Sequence, residues 1–137
     1  MTVFGQHLNR CPPREAMPQE VTYFRLVKDG RLGKNGFLSY AELFPNNSSY
    51  SKCCKAHALS LVPNEEAAKR LVKKFPKAFS THGMAKIHIK PEHGKLFRDK
   101  PDHISWWREQ EYTPEIISQN AELILKKIKE ELCQPIP

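Results

Sequence analysis

The chain has 137 residues, of which 39% are hydrophobic and 27% are charged, and its formal net charge is +7 with a pI near 9.3. This length predicts one domain, and this composition excludes an intrinsically disordered chain. No apolar run approaches the roughly 20 residues of a membrane span, and the N-terminus lacks the apolar core of a signal peptide, so we expect a cytoplasmic protein without membrane contact.

The basic charge favours an acidic partner, such as a nucleic acid, a phosphorylated ligand or an anionic surface. The 22 Lys and Arg residues are spread along the chain rather than gathered in one run. A solvated basic surface without such a partner is the alternative.

The prolines concentrate towards the two ends of the chain and suggest an arm, a domain and a tail. Residues 1–20 are predicted to form an irregular N-terminal arm, because proline removes a backbone donor and restricts the residue before it. Residues 21–132 are predicted to form a single α+β domain, since strands and helices are mixed without βαβ repetition. We expect a small mixed, mainly antiparallel sheet with two principal helices, followed by a tail at residues 133–137.

Hydrophobic periodicity predicts the first elements of the domain. The first strand is expected at Val21–Val27, where Arg25 lies in an otherwise apolar row. A nearly continuous apolar run at Ala56–Val62 predicts a central strand that is covered on both faces. Asn64 then caps a helix that runs to about Phe75.

The second half of the domain is predicted to add a hairpin and a helix. Clean alternation at Met84–Lys90 predicts a half-exposed strand, and Lys95–Arg98 is expected to return as its hairpin partner. Residues 103–111 are expected to form an irregular connector. A long final helix is predicted from Thr113 to about Leu132, because Thr113 is a good cap and is followed by a proline.

The four cysteines, Cys11, Cys53, Cys54 and Cys133, are expected to be reduced thiols, as is usual in a cytoplasmic protein. With His57, the adjacent pair supplies the residue types of a zinc site. However, zinc sites usually space their cysteines as C-x₂₋₄-C, and adjacent residues of an extended chain face opposite ways. We therefore predict no metal site, and a cysteine nucleophile stays open as an alternative.

The densest group of functional side chains lies between His103 and Glu111. Both tryptophans, Trp106 and Trp107, fall here, and Glu109 and Glu111 are two residues apart. Close carboxylates supply a general base or a hydrogen-bond acceptor, and taken alone the pair favours the alternative, a solvated loop before the last helix. An exposed indole stacks on a base or a nicotinamide, whereas core packing of both rings is the alternative. We assign the histidine and both tryptophans as candidate ligand-binding residues.

Three pieces of the sequence resemble the ADP-ribosyltransferase fold of the arginine–serine–glutamate type. They are an arginine on an early strand, a serine at the end of an apolar strand and a Glu-x-Glu sequence, found at Tyr23-Phe-Arg25, Leu59-Ser60-Leu61 and Glu109-Gln110-Glu111. The serine piece departs from the family pattern because the following Thr-Ser is missing. The same strand and turn pieces also resemble small bacterial proteins of unassigned activity.

The resemblance implies a role for each matching residue. Arg25 would hold the phosphates of a dinucleotide, Ser60 would order the pocket, and Glu111, with Glu109 beside it, would bind the nicotinamide ribose and stabilise a cationic transition state. NAD is then a substrate rather than a resident cofactor. The resulting hypothesis is a domain that binds a nucleotide or dinucleotide, with ADP-ribosyl transfer as the implied activity. The competing hypothesis is a non-enzymatic basic module that binds nucleic acid or a protein partner.

Overall fold

Two three-stranded antiparallel sheets and four short helices make up the described part of the chain, residues 7–129 of a computed structural model. The strands are β1 (Val21–Val27), β2 (Leu59–Leu61), β3 (Gly83–Ile89), β4 (Gly94–Lys100), β5 (His103–Arg108) and β6 (Glu122–Leu125). The helices are α1 (Tyr40–Leu43), α2 (Ser48–Ser51), α3 (Glu65–Lys74) and α4 (Pro114–Asn120). The α+β class predicted from the sequence is confirmed.

The strand order corrects the expectation of one mixed sheet. In the first sheet β3 lies between β1 and β6, and in the second β5 lies between β2 and β4. Each of these pairings is antiparallel. The two sheets meet where Phe24 of β1 exchanges backbone hydrogen bonds of 2.9 and 2.8 Å with Val62, which directly follows β2.

The first sheet forms the middle layer, with an apolar core on each face. Its strand β3 follows the predicted alternation, because Ala85, Ile87 and Ile89 are buried while Lys86 and His88 are exposed. On one face the sheet packs against the second sheet, and on the other it packs against α3. Helix α3 itself has the predicted bounds to within a residue, and its cap is confirmed, since the side chain of Asn64 accepts a hydrogen bond of 2.8 Å from the backbone N–H of Ala67.

The apolar run at Ala56–Val62 forms less strand than predicted. A 3-10 turn occupies Cys54–His57, so that only Leu59–Leu61 is extended and paired. This strand is at the edge of the second sheet and not at its centre. Its alternate residues Leu59 and Leu61 are buried while Ser60 is exposed, which is the pattern of a strand covered on one face.

The segment expected to be an irregular connector contains the central strand of the second sheet. Strand β5 pairs with β2 on one side and with β4 on the other, and residues 104–109 are buried. Its sequence, His-Ile-Ser-Trp-Trp-Arg, contains neither glycine nor proline, and two neighbouring strands satisfy its backbone hydrogen-bonding groups.

The predicted hairpin partner of β3 pairs elsewhere. After a 3-10 turn at Pro91–His93, the chain passes through Gly94, whose φ of 132° favours glycine. A Cβ added at this position would lie 2.2 Å from the backbone oxygen of Trp107. The turn at Gly94 and its close contact with the backbone of Trp107 place β4 beside β5. Strand β4 therefore pairs with β5 instead of returning along β3.

The predicted final helix ends early. Helix α4 begins after the cap Thr113 as expected, but it stops at Asn120, and β6 then pairs with β3. In β6, Leu123 packs into the core between the two sheets, whereas Ile124 packs into the core below α3. Both faces of the strand are therefore in contact with apolar residues. The end of the predicted helix at Leu132, Cys133 and the tail at residues 133–137 lie outside the described residues.

The N-terminal arm is irregular over its described part, residues 7–20, but it is attached to the domain. A disulfide joins Cys11 to Cys54, which corrects the expectation of reduced thiols at these two positions, while Cys53 is a free, exposed thiol. Further along, Met17 forms a two-way backbone bridge with Leu96 of β4. Among residues 7–129, no helix has both the length and the apolar character needed to cross a membrane.

Candidate functional site

A cleft of about 1530 Å³ lies beside the point where the two sheets meet. Its walls are the segment 28–36, which follows β1, together with α1, β2, α3 and the start of β5. Sites for drug-sized ligands usually measure about 300–1,000 Å³, so this cleft has room for a ligand longer than a single nucleotide.

The lining of the cleft is strongly basic. Among residues 7–129, two carboxylates line it, Asp29 and Asp102, and Asp102 accepts two hydrogen bonds of 2.9 Å from Arg70. Against these there are seven cationic side chains, Arg25, Lys28, Arg31, Lys34, Arg70, Lys74 and Lys100. A groove lined by charges of one sign attracts and concentrates counter-charged ligands.

Aromatic rings accompany the charges. Tyr40 and Phe75 line the cleft and are 58% and 47% exposed. The Tyr40 ring stacks on Tyr50 at a centroid distance of 5.6 Å, and the Nζ of Lys74 lies 5.5 Å from the centroid of Phe75. Exposed rings of this kind, next to cations, offer faces on which a nucleobase can stack.

Arg25 lies in the cleft, where it joins two parts of the wall. Its Nε donates a 2.7 Å hydrogen bond to the carbonyl of Gly36, and its Nη1 donates a 2.8 Å bond to the carbonyl of Ser60. Burial lowers the pKa of Arg25 to about 10, with a smaller opposing effect of Tyr40, so its guanidinium remains charged at neutral pH. Ser60 also lines the cleft, and its backbone oxygen rather than its hydroxyl makes this contact.

His103 is the third predicted site residue that lines the cleft. Its Nδ1 lies 2.6 Å from Oδ1 of Asp99, and the other carboxylate oxygen of Asp99 lies 3.1 Å from Nζ of Lys55. Burial raises the pKa of the Asp99 carboxyl, but the hydrogen bonds from His103 and Lys55 outweigh it and hold that pKa below its usual value. Asp99 is therefore ionised at neutral pH.

The two tryptophans are core residues in this structure, so the expected exposed indole is not present. Both are fully buried. The Nε1 of Trp106 donates a 3.2 Å hydrogen bond to the carbonyl of His93, and that of Trp107 donates a 3.0 Å bond to the carbonyl of Cys54. With its ring enclosed by the N-terminal arm, Trp107 offers no face for stacking on a ligand.

The carboxylates Glu109 and Glu111 do not line the cleft. They follow the far end of β5, and because a strand rises about 3.3 Å per residue, roughly 17 Å of strand separates that end from His103. Glu109 is buried, and its backbone N–H donates a 2.9 Å hydrogen bond to the carbonyl of His93. Glu111 is exposed. The cleft therefore brings together Arg25, Ser60 and His103 but none of the predicted catalytic carboxylates.

Sequence reasoning missed the histidine's partner Asp99 and a second lining histidine, His82. The Nδ1 of His82 is buried and has no hydrogen-bond partner among residues 7–129. Burial lowers the pKa of His82, partly offset by Asp29. The spacing of Asp99 and His103 in the sequence does not predict that their side chains are in contact. The contact forms because the bulged hairpin between β4 and β5 brings the two side chains together.

A second group missed from sequence is a buried ion pair outside the cleft. Arg108 is fully buried and its Nη2 contacts Oε2 of Glu42, while its Nη1 donates a 3.2 Å hydrogen bond to the carbonyl of Tyr112. Glu42 also closes a capping box on Ser39 at the start of α1. The pattern Ser39-x-x-Glu42 was the available signal for this element.

Within the described residues, no three His, Cys, Asp or Glu side chains are grouped in a way that could hold a metal ion. Cys54 is consumed by its disulfide, which removes the central ligand of the zinc arrangement considered from the sequence.

Comparison of the chain with protein-family models, with curated proteins and with solved structures found no match.

Proposed function

We propose that the chain binds a single strand of nucleic acid in the basic cleft. The observation that carries this proposal is the lining of seven cationic side chains against two carboxylates, one of which is already paired with Arg70. Phosphates account for most of the affinity of proteins for nucleic acid, and they do so through Lys and Arg.

Two further features support a strand rather than a compact anion. The volume of about 1530 Å³ exceeds what a single nucleotide fills. The exposed rings of Tyr40 and Phe75 lie among the cations, which is the combination that sequence-tolerant single-strand binding uses.

A salt titration with a charge-matched control tests the proposal. One triple variant neutralises exposed cleft cations (Lys28→Gln, Arg31→Gln and Lys34→Gln), and the other neutralises exposed lysines elsewhere (Lys52→Gln, Lys86→Gln and Lys95→Gln). Binding of a fluorescent single-stranded oligonucleotide is followed by anisotropy across salt concentrations. Since each phosphate contact contributes a slope of about −0.7 in log K against log salt, the cleft variant is expected to flatten the slope by roughly 2.

The control carries the same net charge, so a field effect of the whole molecule would change both variants equally. We expect its slope to stay near that of the wild type. Equal losses in the two variants, or an affinity that does not respond to salt, would overturn the proposal.

A nucleotide or dinucleotide is the second candidate ligand, because Arg25, Ser60 and His103 line the same cleft. Binding of NAD to the wild type and to the same two triple variants is measured by calorimetry. Heat on addition of NAD but not on addition of the oligonucleotide would favour the smaller ligand. Since Glu109 and Glu111 are not among the lining residues, the proposal is for binding and does not assign ADP-ribosyl transfer to them.

A further inference from the structure

His103 lines the basic cleft, and its pairing with Asp99 behind it has a geometry that binding alone does not require. The carboxylate of Asp99 lies 2.6 Å from Nδ1 of His103. An ionised carboxylate can only accept hydrogen bonds, so Nδ1 carries the hydrogen. In a neutral imidazole, Nε2 is then the unprotonated nitrogen, which is the tautomer that a general base needs.

Contacts on both sides hold this histidine in place. His103 is the first residue of β5 and pairs across the hairpin with Lys100. Immediately before it, Asp102 accepts two hydrogen bonds of 2.9 Å from Arg70 of α3. On its other side, Asp99 is held by Lys55 at 3.1 Å. A catalytic group works best when its position is fixed before the substrate arrives.

Cationic side chains line the same cleft as the histidine, and Lys100 is its cross-strand partner. Lys100, Arg70 and Arg25 all line the cleft. A phosphodiester that is being attacked gains negative charge on its oxygens, and fixed cations stabilise that charge in the transition state. His103 therefore lines the surface on which a bound phosphate group would be expected.

We propose that this cleft cleaves single-stranded RNA, with His103 as the general base and Lys100 as the general acid. The inference rests on the proposed binding of a nucleic-acid strand. The Nε2 of His103 takes the proton of a ribose 2′-hydroxyl, whose oxygen attacks the adjacent phosphorus. The bond between phosphorus and the 5′-oxygen breaks, and the ammonium of Lys100 gives that oxygen a proton.

The products are a strand ending in a 2′,3′-cyclic phosphate and a strand beginning with a 5′-hydroxyl. Solvent then takes the proton from His103 and returns one to Lys100, so the step needs no co-reactant. DNA lacks the 2′-hydroxyl and is bound but not cleaved. Asp99 is a positioning residue in this scheme, because it acts on the tautomer of His103 and does not touch the substrate.

The test compares two histidine variants that differ in location. His103→Asn removes the proposed base, and His88→Asn removes an exposed histidine outside the cleft that is also paired with a carboxylate, at 3.2 Å from Glu20. Cleavage of an end-labelled RNA oligonucleotide is followed on gels, with EDTA present, and the product ends are identified by mass spectrometry. Affinity is measured separately with a DNA strand of the same sequence.

We expect the wild type and His88→Asn to give cyclic-phosphate ends at equal rates. His103→Asn should cleave about 100-fold more slowly or worse, as is usual when a general base is removed, while its affinity for the DNA strand is unchanged. An RNA with one 2′-deoxy nucleotide should resist cleavage at that position only.

Two further variants separate catalysis from folding. Lys100 is exposed, so Lys100→Gln should fold normally and still lose activity, whereas Lys95→Gln on the same strand but outside the cleft should not. Asp99→Asn should lower kcat with little change in KM when the rate is normalised to the fraction of the protein that binds the DNA strand. A loss of activity that disappears after this normalisation would come from unfolding alone and would overturn the positioning role of Asp99.

Each outcome bears on one of the two proposals. A wild type that binds the DNA and RNA strands without cleaving RNA overturns the nuclease inference and leaves strand binding intact. Failure to bind either strand overturns both. Cleavage that persists in His103→Asn, or at the 2′-deoxy position, identifies a different activity and overturns the assignment to His103.

Discussion

Among individual side chains, Glu42 and Arg108 form an ion pair that is expected to contribute to stability. Arg108 is fully buried, and burial lowers its pKa, an effect that Glu42 and, more weakly, Glu115 oppose. Removing a partner of a buried polar group typically costs about 1–3 kcal/mol, and the partial exposure of Glu42 keeps the cost below that of a fully buried ion pair. We therefore expect Glu42→Gln to lower the free energy of unfolding by that amount in urea denaturation, while the exposed Glu111→Gln changes it by less than about 0.5 kcal/mol.

The double variant Glu42→Gln with Arg108→Met provides the stricter test of this explanation. Because it removes the buried charge as well as its partner, it should be more stable than Glu42→Gln alone. A double variant that is less stable than the single one would mean that Arg108 contributes through its other contacts, such as the hydrogen bond to the carbonyl of Tyr112.

Between elements, the disulfide from Cys11 to Cys54 is a covalent cross-link between the N-terminal arm and the domain. It spans a sequence separation of 43 residues and lies against the buried ring of Trp107. Restricting a loop of this size in the unfolded chain contributes about 2–4 kcal/mol of stability. The double variant Cys11→Ser with Cys54→Ser is expected to lose that amount in urea denaturation under oxidising conditions.

Reduction offers an internal control for the same prediction. A reducing agent should destabilise the wild type by a similar amount and should leave the double variant unchanged. Cys53→Ser, which removes the free and exposed thiol, should behave like the wild type in both conditions. Insensitivity of the wild type to reduction would show that the arm is held by packing rather than by the disulfide.

For the chain as a unit, two histidines determine how stability responds to mild acid. Burial lowers the pKa of both His82 and His93, the latter with its ring stacked 3.8 Å from Tyr112. Below about pH 6.5, the usual histidine value, the unfolded chain therefore binds more protons than the folded chain. Stability is fully present above that pH and falls as the pH decreases through it.

We expect the free energy of unfolding, measured by urea denaturation from pH 7.5 to 5.5, to decrease towards the acidic end. The variant His82→Gln with His93→Gln should show a flatter dependence, because the groups that take up protons on unfolding are gone. The same slope in both proteins would contradict this origin of the acid sensitivity.

Local sequence patterns were sufficient for the elements whose buried face is set by short-range periodicity. The strands β1 and β3 and the capped helix α3 appear where alternation or a helical stripe predicted them, because such repeats follow directly from backbone geometry. The α+β class follows from the order of these elements. The basic composition also predicted an anionic ligand, and this stays a prediction.

Long-range pairing was needed for most of the chain after residue 90, although the start of α4 at its cap Thr113 was predicted locally. The apolar residues at Ile117, Ala121 and Ile124 suit one helix as well as they suit a short helix followed by a strand, and the free edge of β3 selects the second arrangement. Likewise, the local sequence does not predict that β2 and β4 pair with β5 on its two sides. Both tryptophans of β5 are fully buried in this arrangement. The site depends on the same pairings: Arg25, Ser60 and His103 meet because the sheets join at Phe24 and Val62, a contact between residues far apart in the chain that no local period encodes.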